Sequence, residues 1–334
     1  MRYASQADVA TARVLVELLP ALLRRAPRRL LAFGGLGPRD RLQSLEEPNA
    51  AIAVFDSVGC SWEETVMSPW RNARLDSTAA ACDGFVYVLG GSRAEEPALA
   101  VAERLDLETG SWESLPPMHS PRSGFGAAPL AGSICVAGGS AGIELLSAAE
   151  RFDPMRWAWE QLPPLARACA FVAAAALSGC LYVIGGSDEG HRPHADAHRL
   201  RMTTQPAGGD RWQGACWEAI PAMPTARAAA SAAAVPGTCL FVAGGVADGW
   251  SPLSVVERYD LAQGVWEAAP PLDKPRRNLA AATIFGDVYV LGGVSYAAKC
   301  TATVEILSAG AVAWKDSTSL AAARARHAAA VAIC

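Results

Sequence analysis

The chain has 334 residues, 51% of them hydrophobic, enough for two ordinary domains or one large closed repeat structure with a sizeable core. Charged residues make up only 19% and the net charge is −4, so composition offers no electrostatic case for nucleic acid or an anionic membrane surface. The nine cysteines are odd in number and include no C-x-x-C pair, which fits reduced, mostly buried thiols in a cytoplasmic or nuclear protein.

From the N-terminus, residues 1–27 read as a short helical extension that ends in basic residues near Pro27. Its apolar stretch "VLVELLPALL" (14–23) is interrupted by Glu17 and Pro20 and is too short to span a bilayer. It also lacks the basic start and cleavage site of a signal peptide. Beyond residue 27, six apolar runs end on paired glycines: "LLAFGG", "VYVLGG", "ICVAGG", "LYVIGG", "LFVAGG" and "VYVLGG". Their last glycines, at 35, 91, 139, 186, 245 and 293, are 56, 48, 47, 59 and 48 residues apart. Trp62, Trp112, Trp159, Trp217, Trp266 and Trp314 each follow one pair, and the next pair begins 26–28 residues after each of the first five. Two landmarks in common register define an internal repeat of about 50 residues.

Each unit reads as four short strands. A small-residue strand turns tightly into the apolar strand that ends in Gly-Gly; a third strand of the "VERYD" type follows, and a fourth runs from Trp to a Pro-rich segment. "AFVAAAALSG" and "RAAASAAAVPG" have helical propensity, yet they occupy the register of the first strand. The register overrules propensity, because innermost strands that converge on an axis have room only for small side chains. The glycine pair ends a strand where neighbouring backbone passes close by.

The Gly-Gly strands, the Glu-Arg-aromatic stretches (Glu150-Arg151-Phe152, Glu257-Arg258-Tyr259), the Trp and the trailing "PP" resemble Kelch repeats over residues 28–334. The resemblance implies an all-β, six-bladed β-propeller with four antiparallel strands per blade. The fourth unit departs with "AHRLRM" and a longer loop before Trp217, and the sixth has "VEILS" without the Arg-aromatic pair. The first unit lacks an innermost strand and the chain ends on the unpaired "RHAAAVAIC" (326–334), so the C-terminal strand is expected to close the first blade.

Ten residues after the landmark Trp stand Arg122, Arg227, Arg276 and Arg324; Arg74 holds the same place counted back from its Gly-Gly, and Cys169 replaces arginine in the third such place. In Kelch adaptors, by resemblance, arginines at this place line the partner-binding pocket. These five residues are therefore the candidate partner-binding site, expected on a solvent-accessible rim and suited to an acidic peptide through bidentate contacts. The competing reading pairs them with carboxylates of the propeller itself. Longer loops in the first unit (36–49, and the segment with Trp70) are expected to border this face. His191, His194 and His198 lie close in sequence, but no further metal-ligand pair accompanies them, and a polar surface loop is the expectation.

The resulting expectation is a non-catalytic protein-interaction module with no cofactor, which binds a protein partner. The resemblance extends to substrate receptors in ubiquitin ligation, although about 27 residues before the propeller are too few for the scaffold-binding region such adaptors carry. A propeller-only protein and a chain with a missing upstream part both fit. The alternative from another class is a Kelch-type enzyme, a sugar oxidase or a mutarotase. No Tyr, His and Cys set for a copper oxidase can be assigned, whereas a mutarotase would use arginine and carboxylates at the channel mouth.

Overall fold

A computed structural model of the chain describes residues 28–33, 52–56, 61–65, 74–201, 214–296, 300–320, 323–326 and 328–333. The N-terminal helix expected over 1–27, the first-unit loop 36–49 and Trp70 lie outside the described residues, as does part of the long loop before Trp217.

Among the described residues the strands form six four-stranded antiparallel sheets, numbered here along the chain, and a two-stranded ribbon of Ser140–Ala141 with Glu144–Leu145. Sheet 1 orders Ala328–Ile333, Arg28–Phe33, Ile52–Asp56 and Ser61–Thr65, from the inside outward. Sheet 2 is built from Thr78–Cys82, Phe85–Leu89, Ala102–Asp106 and Trp112–Ser114, and sheet 3 from Gly126–Leu130, Ser133–Ala137, Ala149–Asp153 and Ala158–Leu162. Sheet 4 comprises Ala173–Leu177, Cys180–Ile184, Ala197–Arg201 and Cys216–Ile220. Sheet 5 comprises Ser231–Val235, Cys239–Ala243, Val256–Asp260 and Val265–Ala269; sheet 6, Ala280–Ile284, Asp287–Leu291, Val304–Leu307 and Lys315–Asp316. The C-terminal strand pairs with Arg28–Phe33 along its whole length, from Arg28 opposite Ile333 to Phe33 opposite Ala328.

The first strands of the sheets contact one another in sequence, and the strand of sheet 6 meets the C-terminal strand. The architecture is an all-β propeller around a narrow channel. Alanines dominate these innermost strands because there is no space for more: a Cβ on Gly126 would come within 2.5 Å of the Ala174 Cβ in the next sheet. Ala173–Leu177 and Ser231–Val235 are strands despite their alanine content, so packing at the axis wins over helix propensity.

The repeated tryptophans and prolines form one device between neighbouring sheets. Trp159, Trp217, Trp266 and Trp314 each donate their indole N–H to the carbonyl of Pro116, Pro163, Pro221 and Pro270 of the preceding unit, at 2.7–2.8 Å. Each indole thus satisfies its one donor, and Trp159 and Trp314 also bury their rings. The wedges between sheets are filled by clusters such as Tyr87, Phe152 and Trp159 between sheets 2 and 3, or Tyr182, Tyr259 and Trp266 between sheets 4 and 5.

Candidate functional site

The five arginines are not on an accessible rim. Arg74, Arg122, Arg227, Arg276 and Arg324 are at most 1% exposed and are the largest fully buried side chains among the described residues. Four of them meet a glutamate on the third strand of their own sheet: Arg74 with Glu103 at 2.7 Å, Arg122 with Glu150 at 2.6 Å, Arg227 with Glu257 at 2.7 Å, and Arg276 with Glu305. Each guanidinium also donates to the carbonyl of the first glycine of the Gly-Gly pair, as Arg122 does to Gly138 at 2.8 Å and Arg276 to Gly292 at 2.9 Å; Arg74 and Arg227 reach Gly90 and Gly244 likewise. The expectation of a solvent-facing arginine ring is therefore corrected: these side chains turn into the sheets, where they satisfy carbonyls and carboxylates that burial cuts off from water.

Burial pulls the guanidinium of Arg122 below its ordinary pKa, opposed by the hydrogen bond and charge of Glu150. Burial pushes the Glu150 carboxyl up, but the Arg122 hydrogen bond and charge, with the backbone N–H and ring of His119, outweigh it and hold the group below the usual carboxylate range. The pair is an ionised structural element with no free face for a ligand.

The second glycine of each pair completes the link. Gly91, Gly139, Gly186, Gly245 and Gly293 donate their N–H to the carbonyl of residue Arg122, Cys169, Arg227, Arg276 and Arg324 in the next unit, at 2.7–2.9 Å. A Cβ on Gly90 would lie 2.6 Å from the Arg122 carbonyl oxygen, and its φ is +53°. Only glycine tolerates both conditions.

Two residues beyond each buried arginine position lies the feature that shapes the channel mouth. Asp76, Gly124, Phe171, Ala229, Asn278 and Arg326 all have left-handed φ between 51° and 61°. Their backbones form a closed head-to-tail circle: Gly124 N–H to Asp76 carbonyl, Phe171 to Gly124, Ala229 to Phe171, Asn278 to Ala229, Arg326 to Asn278, and Asp76 to Arg326, at 2.6–3.2 Å. Left-handed backbone costs about 1–2 kcal/mol per non-glycine residue, and here the hydrogen-bonded circle offsets it. The circle rims a cavity of about 150 Å3 lined by Asp76, Phe171, Asn278 and Arg326 together with the alanines of the innermost strands. Arg326 and Asp76 form a two-contact ion pair across the junction of sheets 1 and 2.

Beside this mouth stands an arginine absent from the candidate set. Arg277 follows the buried Arg276 directly, yet it is half-buried, and among the described residues no carboxylate pairs with it and its buried Nε has no hydrogen-bond partner. Its guanidinium lies 5.9 Å from the ring centre of Trp250, itself 39% exposed. Trp250 in turn packs edge-on to Phe171 and His191 at 6.4 and 6.0 Å. Burial lowers the pKa of Arg277, and the nearby charge of Arg326 lowers it further. A guanidinium without a carboxylate partner has donors that can take a carboxylate or phosphate in a bidentate contact. The six units in register carry Leu75, Ser123, Ala170, Ala228, Arg277 and Ala325 at this position, so the one charged residue was a visible signal in the sequence.

The three histidines do not come together at one point, although His194 and His198 line one small cavity. His191 turns to Trp250, His194 contacts Arg167 at 3.1 Å, and His198 sits within a strand opposite Val183. Of the seven described cysteines, Cys135, Cys169 and Cys239 are buried, Cys82, Cys180 and Cys300 are half-buried, and Cys216 is exposed, so burial is less general than expected. Burial pushes the thiols of Cys135 and Cys169 up to about 12 and about 11, far from nucleophilic.

A family model described as the Kelch motif matches residues 73–119, 121–166, 168–205 and 227–272, just over half of the chain. The chain belongs to the Kelch-motif family. Among its relatives is an influenza virus NS1A-binding protein homolog of Xenopus laevis, 40% identical over 79 residues, which are 24% of this chain and 12% of that protein. An F-box/kelch-repeat protein of Arabidopsis thaliana is 30% identical over 97 residues, 29% of this chain and 25% of that one. The matches thus span a quarter or less of these longer proteins. The solved structure of YjhT superposes with a TM-score of 0.69, covering 86% of this Kelch chain and 97% of its own at 14% identity, a likeness of fold.

Proposed function

We propose that this Kelch propeller is a non-catalytic module that binds an acidic segment of a partner protein at the channel mouth, through Arg277 and its aromatic neighbours. The scaffold we infer is a closed ring of six blades, a reading supported by the six sheets and the six-membered backbone circle. The single observation that carries the function is Arg277: the arginines ten residues after the landmark Trp are buried in their blades, while their neighbour Arg277 is half-buried beside Trp250 and, among the described residues, has no carboxylate partner. Relatives named for binding a viral protein support a protein as the class of partner. Reception of substrates for ubiquitin ligation is a narrower form of this reading and requires a scaffold-binding segment outside the propeller. Free thiols fit a cytoplasmic or nuclear location.

The test is selection of displayed peptides on the purified chain. Enrichment of Asp- and Glu-rich sequences is expected, and Arg277→Ala and Trp250→Ala should each weaken the winners about tenfold or more while melting stays unchanged. Winners that bind both variants as tightly as the parent would sink the proposal. One observation favours a second reading, a sugar mutarotase: the Arg326–Asp76 pair lines the cavity. Sugar anomer exchange that is catalysed by the parent and abolished in Asp76→Asn would replace the binding reading with this one.

A further inference from the structure

At the strand ends away from the Gly-Gly pairs, the wedge between sheets 2 and 3 is closed by rings around an arginine. Arg104 pairs with Glu113 at 2.7 Å, and its guanidinium carbon lies 4.0 Å from the ring centre of Phe85 and 4.6 Å from that of Trp157. Phe152 packs edge-on to Trp157 at 5.7 Å. Trp157 has a φ of +55° where the equivalent turns of sheets 2 and 5 carry Gly110 and Gly264. A bulky residue is strained in that conformation, and the stack on Arg104 offsets the strain.

The wedge between sheets 5 and 6 keeps the ion pair and lacks the rings. Arg258 pairs with Glu267 from the same register positions as Arg104 and Glu113. Cys239, however, stands in the place of Phe85, Leu307 in that of Phe152, and Val312 in that of Trp157. Val312 is 91% exposed and does not line the wedge, which opens as a groove of about 510 Å3. The Arg258 side chain is 39% exposed against 15% for Arg104, and among the described residues no ring stacks on its guanidinium. Sheets 3 and 4 lack the rings too, but there Arg151 bonds to Ser133 and is 3% exposed, so that wedge is closed.

We propose that this groove takes an aromatic side chain of a partner protein, which stacks on Arg258 as Trp157 stacks on Arg104. Two observations select that occupant. First, the molecule fills its own equivalent wedge in this way with the ion pair intact: a guanidinium held by a carboxylate at its edge keeps its planar face for a ring. The lining mixes Phe241, Val288 and Leu307 with Arg258, Asp260 and Thr238, which suits a ring with an apolar body and a polar tip. Second, charge: Asp260 lines the groove and Asp287 adjoins its Gly286, and both carboxylates accept backbone N–H groups and pair with no cation among the described residues. Glu267 neutralises Arg258, so the margin is net negative and favours lysine or arginine beside the partner's ring. Phe285, 42% exposed next to Gly286, adds apolar surface at the same margin.

The experiment is selection of displayed peptides on the full chain carrying Arg277→Ala, which keeps the channel mouth out of the result. Winners should carry Trp, Tyr or Phe next to Lys or Arg, and replacing that ring by leucine should weaken them about tenfold. Arg258→Lys keeps the charge facing Glu267 but has no planar face, and should weaken the winners about as much while melting stays unchanged. Cys239→Phe with Leu307→Phe restores two of the rings that close the wedge between sheets 2 and 3 and should abolish binding. Because those positions are buried, Ala309→Trp serves beside it: this alanine is exposed and lines the groove, so the indole plugs it from the margin without entering the core. A selection that yields no winners, winners without an aromatic residue, or winners that bind Arg258→Lys and Ala309→Trp as tightly as the parent each overturns the proposal.

Discussion

In sheet 3, Arg122 and Glu150 fill the interior between the first and third strands; in sheet 4 next to it, the equivalent positions hold Cys169 and His198. The backbone link is the same in both. Gly91 donates to the Arg122 carbonyl at 2.7 Å, and Gly139 donates to the Cys169 carbonyl at 2.8 Å. What changes is the interior: sheet 4 retains a cavity of about 20 Å3 where Cys169 and His198 stand with Arg167, His194 and Asp196. The blade forms without the ion pair, because glycine-to-carbonyl bonds and wedge packing assemble it. The buried pair adds a polar core, satisfied except at the Arg122 Nε, whose net gain over a neutral filling is small but whose half-removal is costly.

The largest effect should come from breaking the pair on one side. Glu150→Ala leaves Arg122 buried without its carboxylate and should cost about 3–5 kcal/mol in chemical denaturation. The pH dependence follows in sign. Because the folded carboxyl lies below its unfolded value, its contribution is fully present above the unfolded pKa near 4.3 and is lost as pH falls through the folded one. Stability of the parent should thus fall steeply below about pH 4, and that portion should be missing in Glu150→Gln. An unchanged acid limb would show that the pair is not ionised.

Next in size is transplantation of the pair into sheet 4. Cys169→Arg alone should destabilise, whereas Cys169→Arg with His198→Glu should recover through a coupling of about 1–3 kcal/mol, read from a double-mutant cycle. Additive effects would mean that the surroundings of sheet 4 have diverged too far to accept the ion pair. Asp76→Asn keeps the left-handed backbone that asparagine tolerates but removes the charge facing Arg326; denaturation should show a loss of about 1–2 kcal/mol. The smallest effect tests the thiols: a reducing agent should leave the melting temperature unchanged, and a drop of several degrees would reveal a disulfide.

The comparison also explains why the candidate site was misread. Register showed that the five arginines occupy equivalent positions, and equivalence about an axis does form a ring. It did not show which way the side chains turn. That depends on the Gly138 and Ala148 carbonyls and on Glu150, brought within 3 Å from 16, 26 and 28 residues away. The glutamates themselves were visible as the "ER" and "VE" of the third strand, and their recurrence with the arginines was the missed signal. Arg276 and Arg277 carry the lesson furthest: two identical neighbours, one sealed in the blade and one left at the mouth.

From the sequence by itself came the strands, their order, the alanine-rich inner strands and the return of the C-terminus to the first unit, because each depends on short-range patterning repeated six times. The tertiary structure alone decided the orientation of the arginines, the closed circle of left-handed residues and the opening of the groove beside Leu307. The arginines turn to a carboxylate on the third strand of their own sheet, and the circle and the groove depend on what stands opposite in the next sheet; both are contacts between residues far apart along the chain, which local patterning does not display.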